Sequence, residues 1–468
     1  MQPTIEQLRE RYGSRYKWLV LFTVMIGTMA SIMSSTIVNV AVPDLSRYFT
    51  LGQERAQWVS AGFMLAMTLS MLTTPWFLLR YGLRRTYGGA VLLLLLGGLV
   101  GGFSFNYPML LSMRVVEGLA AGILQPIPSI VVFRIFDRQE QGKAMGIFGF
   151  GVVLAPAIGP SVGGFLVELF GWRSIFFVVV PLCLIVLLMV RQLLAVNSRL
   201  MGEAGPLDWK GLLLACIGIT GLLNGLVHLH DGFLQSVPMI AVGLAAIAGF
   251  IAYQLRTHNA LMNMRLFRYP QFAAGAMVAF IYGAGLFGST YLLPVYMQMA
   301  LHYLPSQAGL VLLPAGVVLA LTIVAAGKLS DRLPPNLLVS IGLVLLALSF
   351  GLMAVSSAAT GYVTFMAWTI IGRVGLGFVL PSLSLGAMRG VDSALIAQGA
   401  STINFLRQLG GAIGVSLVGI FLQWRLAAYH ASASKEASLK AFSETFLLVA
   451  LFCALAVVAA LRMKTPES

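Results

Sequence analysis

Residues 149–164 read GFGVVLAPAIGPSVGG, inside a stretch with no charged side chain from Ala144 to Val167. Glycine and proline are poor residues for a helix in water, but in a bilayer the backbone has no solvent to turn to and the helix persists. Gly151, Ala155, Gly159 and Gly163 recur every four residues, so they form one face on which a neighbouring backbone can come close. Pro156 and Pro160 each remove a backbone donor, and a bend is expected there. The stretch reads as a grooved membrane helix suited to a moving interface.

The rest of the chain has matching chemistry. Its 468 residues have a mean hydropathy of +0.90 and are only 10% charged, against about 25% in soluble domains. Apolar runs of about 20 residues place spans near 18–40, 57–79, 86–105, 109–133, 143–167 and 174–191, then 211–229 and 236–255. Six more follow near 272–298, 305–327, 337–356, 361–387, 396–424 and 443–461. The expectation is an all-α polytopic membrane protein of 14 spans with both termini on one side.

Lysine and arginine concentrate on the cytoplasmic side of membrane proteins. With the N-terminus inside, 21 of the 30 fall in inside segments and 6 in outside loops, while Arg114, Arg373 and Arg407 fall within spans. Both termini are therefore expected in the cytoplasm. The net charge of +14 is this topogenic bias plus attraction to anionic membrane lipid, and calls for no nucleic-acid partner. A cleavable leader is not expected, because the first apolar run continues past Ala30 without a cleavage site. Cys183, Cys216 and Cys453 sit in apolar spans, where packing is their expected role. No GxxxxGK[ST] string is present to bind a nucleotide, and no metal-ligand spacing occurs.

Polar breaks divide the chain into a cytoplasmic N-terminus (1–17), a six-helix bundle (18–191), a linker (192–210), an inserted helix pair (211–255), a second linker (256–271), a second six-helix bundle (272–461) and a tail (462–468). The two bundles carry a weak internal repeat. TPWFLLRYGLRR (74–85) and AGKLSDRLPPN (326–336) both put a basic cluster at a cytoplasmic turn, and MRVVEGLAAG (113–122) and GRVGLGFVLP (372–381) both put an arginine just before a glycine pair.

The 149–164 string, with its GP at Gly159 and Pro160 and its GG at Gly163 and Gly164, resembles the antiporter signature of fifth helices in the major facilitator superfamily. STIVNVAVPDL (35–45), WRSIFFVVVP (172–181) and NFLRQLGGAIG (404–414) resemble strings of its 14-helix drug:proton antiporter branch, the EmrB- and QacA-like proteins. This resemblance implies two six-helix bundles plus an inserted pair. It further implies a secondary transporter of a bacterial plasma (inner) membrane that exports lipophilic or cationic small molecules by alternating access. The proton gradient would supply the energy, with no cofactor. The polar outer loop 425–442 would be a solvated loop or, in a double-membrane bacterium, the docking site for a periplasmic adaptor that the EmrB resemblance implies. Two rival readings are a proton-coupled solute symporter of the same fold and, from a different class, a non-transporting sensor or assembly subunit.

Ionisable groups inside a bilayer cost about 2.5–3.5 kcal/mol on insertion scales, so those that persist pair or function. Glu117 lies three residues after Arg114 and shares its helix face. Burial raises a carboxyl pKa while a nearby arginine lowers it, and that competition can leave a group able to load and release a proton. Pure neutralisation of Arg114 is the competing role. Relatives of the resembled branch often carry an aspartate just before the TIVN string, where Ser34 stands here, and Glu117 is the natural replacement. Asp44, Glu168 and Asp231 fall at outer span ends and read as interfacial acids. His228 and His230 lie beside Asp231 at an outer turn.

At the cytoplasmic turn only Arg80, Gly82, Arg84 and Arg85 match the family's loop pattern, since Leu79 replaces its acid and Pro75 its first glycine. The second copy keeps Gly327, Asp331 and Arg332. These seven residues are the candidate gate. Asn404, Arg407 and Gln408 form a polar patch on one span. With Met33, Asn39, Phe63, Met64, Met67, Tyr282, Phe287, Tyr291 and Tyr296, on spans that line the cavity of the resembled fold, they are the candidate substrate contacts, and methionine suits varied ligands.

Overall fold

The computed structural model describes residues 5–195, 205–230, 233–357, 360–429 and 435–463. Asp231, the tip of the 425–442 loop, most of the 192–210 linker and most of the tail lie outside them, as does the side chain of His230. The described elements are helical: α1 (Ile5–Tyr12), α2 (Tyr16–Tyr48), α3 (Gln53–Met71), α4 (Thr74–Gly102), α5 (Tyr107–Leu124), α6 (Ile127–Ile135), α7 (Gln141–Phe170), α8 (Ser174–Phe177) and α9 (Val179–Leu193). There follow α10 (Trp209–Val227), α11 (Phe233–Gln254), α12 (Pro270–Met299), α13 (Pro305–Ser330), α14 (Pro335–Ala354), α15 (Tyr362–Met388), α16 (Ile396–Ala428) and α17 (Lys435–Leu461). Proline opens several of them, as at Pro270 and Pro335, where its fixed φ suits the first turn and its missing N–H is not needed.

Thirteen helical stretches among the described residues are long and apolar enough to cross a membrane, with α5–α6 and α8–α9 each counting as one. The fourteenth expected span corresponds to α3, whose polar first turns (Gln53, Glu54, Arg55 and Gln57) lower its hydropathy. Its limits differ from the expected 57–79. The helix stops at Met71, and α4 begins at Thr74 and breaks at Gly82, where φ is 76° and ψ 171°. That conformation is open only to glycine at low cost, so Thr74–Tyr81 is a short separate helical segment and the next span starts after it. The 143–167 span is the continuous helix α7, which runs through Pro156 and Pro160 and ends at Gly171 in the left-handed region.

The outer loop expected over 425–442 is also corrected. α16 continues to Ala428 and α17 starts at Lys435, so the segment consists largely of helix ends. Arg425 of α16 pairs with Glu444 of α17, and Tyr429 donates to the same carboxylate at 2.6 Å. Pairing with Arg425 and Tyr429 explains why this charged sequence is helical rather than loop.

The residues fall into two compact units: Met1–Trp209 with His258–Met262 and Asp392–Phe405, and Lys210–Thr257 with Asn263–Val391 and Leu406–Ser468. Helices in lipid gain nothing from excluding water, so close packing through small residues has to hold them. In the first unit Gly151 meets Met25 and Met29, Gly159 meets Thr36, and Gly163 meets Ile37. The glycine face of α7 is therefore occupied by α2. Gly118 and Gly122 of α5 lie against the Phe63 and Met67 carbonyls of α3. An outer core of Ile37, Val38, Leu45, Val59, Leu110, Trp172, Ile175 and Phe176 closes this unit. In the second unit Gly342 and Gly375 bring α14 onto α15, and Gly221 and Gly243 bring α10 onto α11.

Candidate functional site

Arg114 and Glu117 sit one turn apart on α5 and are 0% and 1% exposed. Asn106 caps this helix by accepting from the Met109 N–H, which fixes where the face begins. Arg114 Nη1 donates to Glu117 Oε2 at 2.6 Å and to Ser34 Oγ at 3.0 Å. Nη2 donates to the Ser34 carbonyl and Nε to the Val59 carbonyl, at 3.3 and 3.2 Å. The guanidinium lies over the Phe63 ring, 4.3 Å from its centroid. Ser34 Oγ closes the triangle by donating to Glu117 Oε1 at 3.3 Å.

α4 makes room for this triangle with glycines. A methyl group at Gly97 would stand 2.5 Å from Glu117 Cγ, and one at Gly98 would stand 3.6 Å from Oε1. Glycine at position 97 lets α4 cross the acid's side chain, while at position 98 the tight neighbour is the Phe176 carbonyl, 3.0 Å from where a methyl group would stand. The residues at positions 34 and 117, which sequence reading treats as alternative seats for one acid, are thus in direct contact. Protonation of Glu117 would end the ion pair while Arg114 kept its backbone acceptors, so the group can change charge without leaving the arginine unsolvated.

At the turn that holds Gly82, Arg84 Nη2 donates to the Arg191 carbonyl at 3.1 Å, in the last turn of α9, where a cation suits the exposed carbonyls. Arg80 and Arg85 are exposed, as is Arg332 of the second copy, while Gly327 is buried. Trp76, which carried no signal in the sequence, donates its indole N–H to the Gly205 carbonyl at 2.8 Å. Leu79, in the place of the family's acid, lines a cavity of about 180 Å3 with Leu72, Pro75, Leu207 and Leu261. Asp208, His258, Asn259 and Gln398 line the same cavity, so its wall is mixed polar and apolar.

The cavity candidates separate. Phe63 is core beneath Arg114, and Tyr296 is core, bonded to Ser356 at 2.6 Å and ringed by Phe365, Phe442 and Phe446. Asn39 accepts from Ser60 at 2.7 Å at an exposed position, and Met33 and Met64 are half-buried. Met67 is buried. Tyr291 is exposed and Phe287 packs on Gly411 of α16. Tyr282 is 1% exposed, with Arg373 and Arg407 within electrostatic reach of its hydroxyl. Asn404 and Gln408 are buried on α16. His228 Nδ1 donates to the Asn224 carbonyl at 2.9 Å, one turn earlier at the same helix end.

These helices match proteins of known family. The Major Facilitator Superfamily model matches residues 24–415. The chain is 32% identical over 426 residues to the multidrug resistance protein B homolog of Mycobacterium tuberculosis (strain CDC 1551 / Oshkosh), covering 88% of this chain and 78% of that one. It is 27% identical over 401 residues to the lincomycin resistance protein LmrB of Listeria innocua, covering 85% of each. The fold is similar to that of the proton:xylose symporter XylE, with a TM-score of 0.66 at 14% identity over 94% of this chain and 96% of that one. Sequence match over most of the length and the shared helical architecture lead to one conclusion: the chain belongs to the major facilitator superfamily and is a multi-pass membrane transporter of small molecules, not an enzyme.

Proposed function

We propose that this transporter is a proton-driven exporter of lipophilic small molecules, of the 14-helix drug:proton antiporter branch, with both termini in the cytoplasm of a bacterial plasma membrane. The observation that carries the reading is the Arg114–Glu117–Ser34 triangle, a carboxylate buried in a span with its charge balanced by one arginine and one hydroxyl. An intramembrane acid so placed is a functional-site candidate, and carrying a proton is the role that its chemistry offers. Because Glu117 is 1% exposed, proton exchange requires the surrounding helices to move, and that requirement is what couples protonation to alternating access. The resistance proteins among the relatives support export as the direction.

Arg114 tunes Glu117 and holds the backbone of α2 and α3 through the Ser34 and Val59 carbonyls, so charge loss at Glu117 leaves those two bonds and releases the contact within α5. The α2–α7 seam, where Gly151, Gly159 and Gly163 carry no side chain, is the surface along which the bundle adjusts. The cytoplasmic turns at Arg80–Arg85 and Gly327–Arg332 form the gate, with Trp76 fastening the first turn to the linker. An inward proton supplies about 2.3 kcal/mol per 100 mV of membrane potential, enough for concentrative export without a cofactor. Since the 425–442 segment is largely helix bound to itself, an adaptor has no part in this reading.

The test is uptake of neutral and charged lipophilic dyes by inverted vesicles under an imposed proton gradient, with intact protein and with Glu117→Gln. Gradient-dependent accumulation that disappears in the variant is the expected result. Accumulation unchanged in Glu117→Gln would move coupling elsewhere, and accumulation indifferent to the gradient would end the antiport reading.

A further inference from the structure

One end of the first unit encloses a cavity of about 180 Å3, apart from the Arg114–Glu117 triangle. Four stretches far apart in sequence line it: the α3–α4 corner (72–79), the segment before α10 (205–208), the segment after α11 (258–261), and Gln398 in the first turn of α16. The Trp76 indole N–H donates to the Gly205 carbonyl at 2.8 Å. Gly205 in turn stands so close to the Asn259 side chain that a methyl group there would clash with its amide. Three of the four walls are therefore in direct contact around the space. The corner also holds the 74–81 segment, which the backbone reversal at Gly82 separates from the rest of α4.

The lining is of two kinds. Leu72, Pro75, Leu79 and Leu207 supply apolar wall, and Asp208, His258, Asn259 and Gln398 supply polar groups. Asp208 is 7% exposed and is the acid of the cavity, while no lysine or arginine lines it among the described residues. Arg80, next in sequence to Leu79, is exposed. Gln398 Oε1 is buried with no hydrogen-bond donor among the described residues. A buried acceptor left alone is costly, and native proteins satisfy nearly all such atoms with protein, water or a ligand. The space here exceeds what one water needs: about 10–15 Å3 holds a water, and a cavity of about 150 Å3 takes a benzene ring.

We propose that this cavity is a binding site for a small amine with a one-ring apolar body, whose ammonium group donates to Gln398 Oε1 and takes Asp208 as its counter-charge. A carboxylate offers about four lone-pair positions, so an interaction with its own surroundings leaves Asp208 able to accept another hydrogen bond. Volume sets the body of the ligand and the lining sets its head. A carboxylate ligand would meet Asp208 and a lone acceptor, and a hydrocarbon would leave Gln398 Oε1 unsatisfied. The occupant bridges the 74–81 segment to the two flanking segments and to the start of α16, adding to the Trp76–Gly205 bond. Occupancy therefore holds the Gly82 turn in this arrangement. The site stands whether or not the transporter is proton-driven.

The experiment uses three probes of one shape, 2-phenylethylammonium, 2-phenylethanol and phenylacetate. Binding to the full chain in nanodiscs of zwitterionic lipid is measured by equilibrium dialysis, against nanodiscs without protein. The ammonium is expected to saturate one site and to bind about tenfold or more tightly than the alcohol, with phenylacetate weakest. Gln398→Met keeps the length of the side chain and loses the acceptor, and should weaken the ammonium about tenfold. Gln398→Glu keeps an acceptor and adds charge, and should strengthen it. Ala260→Phe fills the space and should abolish binding. Thermal unfolding is read in parallel, where the ammonium should raise the midpoint of the native sequence and not that of Ala260→Phe. Equal binding of alcohol and ammonium overturns the proposal, and so does ammonium binding untouched in both Gln398→Met and Ala260→Phe while each elutes as a single folded species. Absence of saturable ammonium binding would leave water as the partner of Gln398 and overturns it as well.

Discussion

Each unit places arginine within its spans, and the two treat it differently. Arg114 is fully enclosed, with a carboxylate at 2.6 Å, a hydroxyl and two backbone carbonyls around it. Arg373 and Arg407 are half-buried in helices whose membrane stretches hold no acid. A closed pair is expensive to form and more expensive to break, so it suits an internal event such as protonation. The contrast is one of enclosure: under the proton-driven reading proposed above, the closed pair of the first unit is the place for a protonation event.

The largest expected effect comes from breaking the closed pair. Glu117→Ala leaves Arg114 buried without its counter-charge and should lower stability by about 3–5 kcal/mol, read as earlier unfolding in a denaturing-detergent titration. Arg114→Met with Glu117→Met removes both charges and should recover most of that stability, while gradient-driven accumulation stays at background. If the double variant transported normally, the triangle would be packing alone. Ser34→Asp with Glu117→Gln sharpens the point, because an acid at position 34 stands within reach of Arg114 Nη1. Gradient-driven transport lost in Glu117→Gln should return in this pair; no recovery in a folded protein would mean that position 117 itself is required.

A smaller effect belongs to Gly82→Ala, which forces a side chain into φ 76° and should cost about 1–3 kcal/mol in thermal unfolding.

How much of this was open to sequence reading depends on the distance over which a residue finds its partner. Apolar runs marked the spans because the bilayer sets their length, and Arg114 with Glu117 was legible because three residues is one helical turn. The limits of α3 and α4 were not, since hydropathy is blind to a backbone reversal at Gly82. The start of α17 was hidden because residues 435–442 read as polar loop until Arg425 and Tyr429 are seen to bind Glu444, in the span beyond it. Trp76 finds Gly205 at a separation of 129 residues. Tyr282 looked like a generic aromatic of a drug pocket, and only the crossing of α12 and α16 relates it to Arg407. Small residues gave the faces that pack, but not which helix they pack on.

Ser34 tests the closed region most finely. Ser34→Ala deletes the hydroxyl that donates to Glu117 Oε1 and accepts from Arg114 Nη1, but keeps the backbone carbonyl that Arg114 Nη2 uses. The ion pair at 2.6 Å survives. The loss is then one buried acceptor and one donor in a network otherwise intact, about 1 kcal/mol. Transport should continue with a changed pH dependence, because the hydroxyl contacts the group that changes charge. An effect as large as that of Glu117→Ala would show that Ser34 holds the pair together rather than trimming it. No effect on stability or on the pH profile would leave the triangle as a pair, with Arg114 alone setting the proton affinity of Glu117.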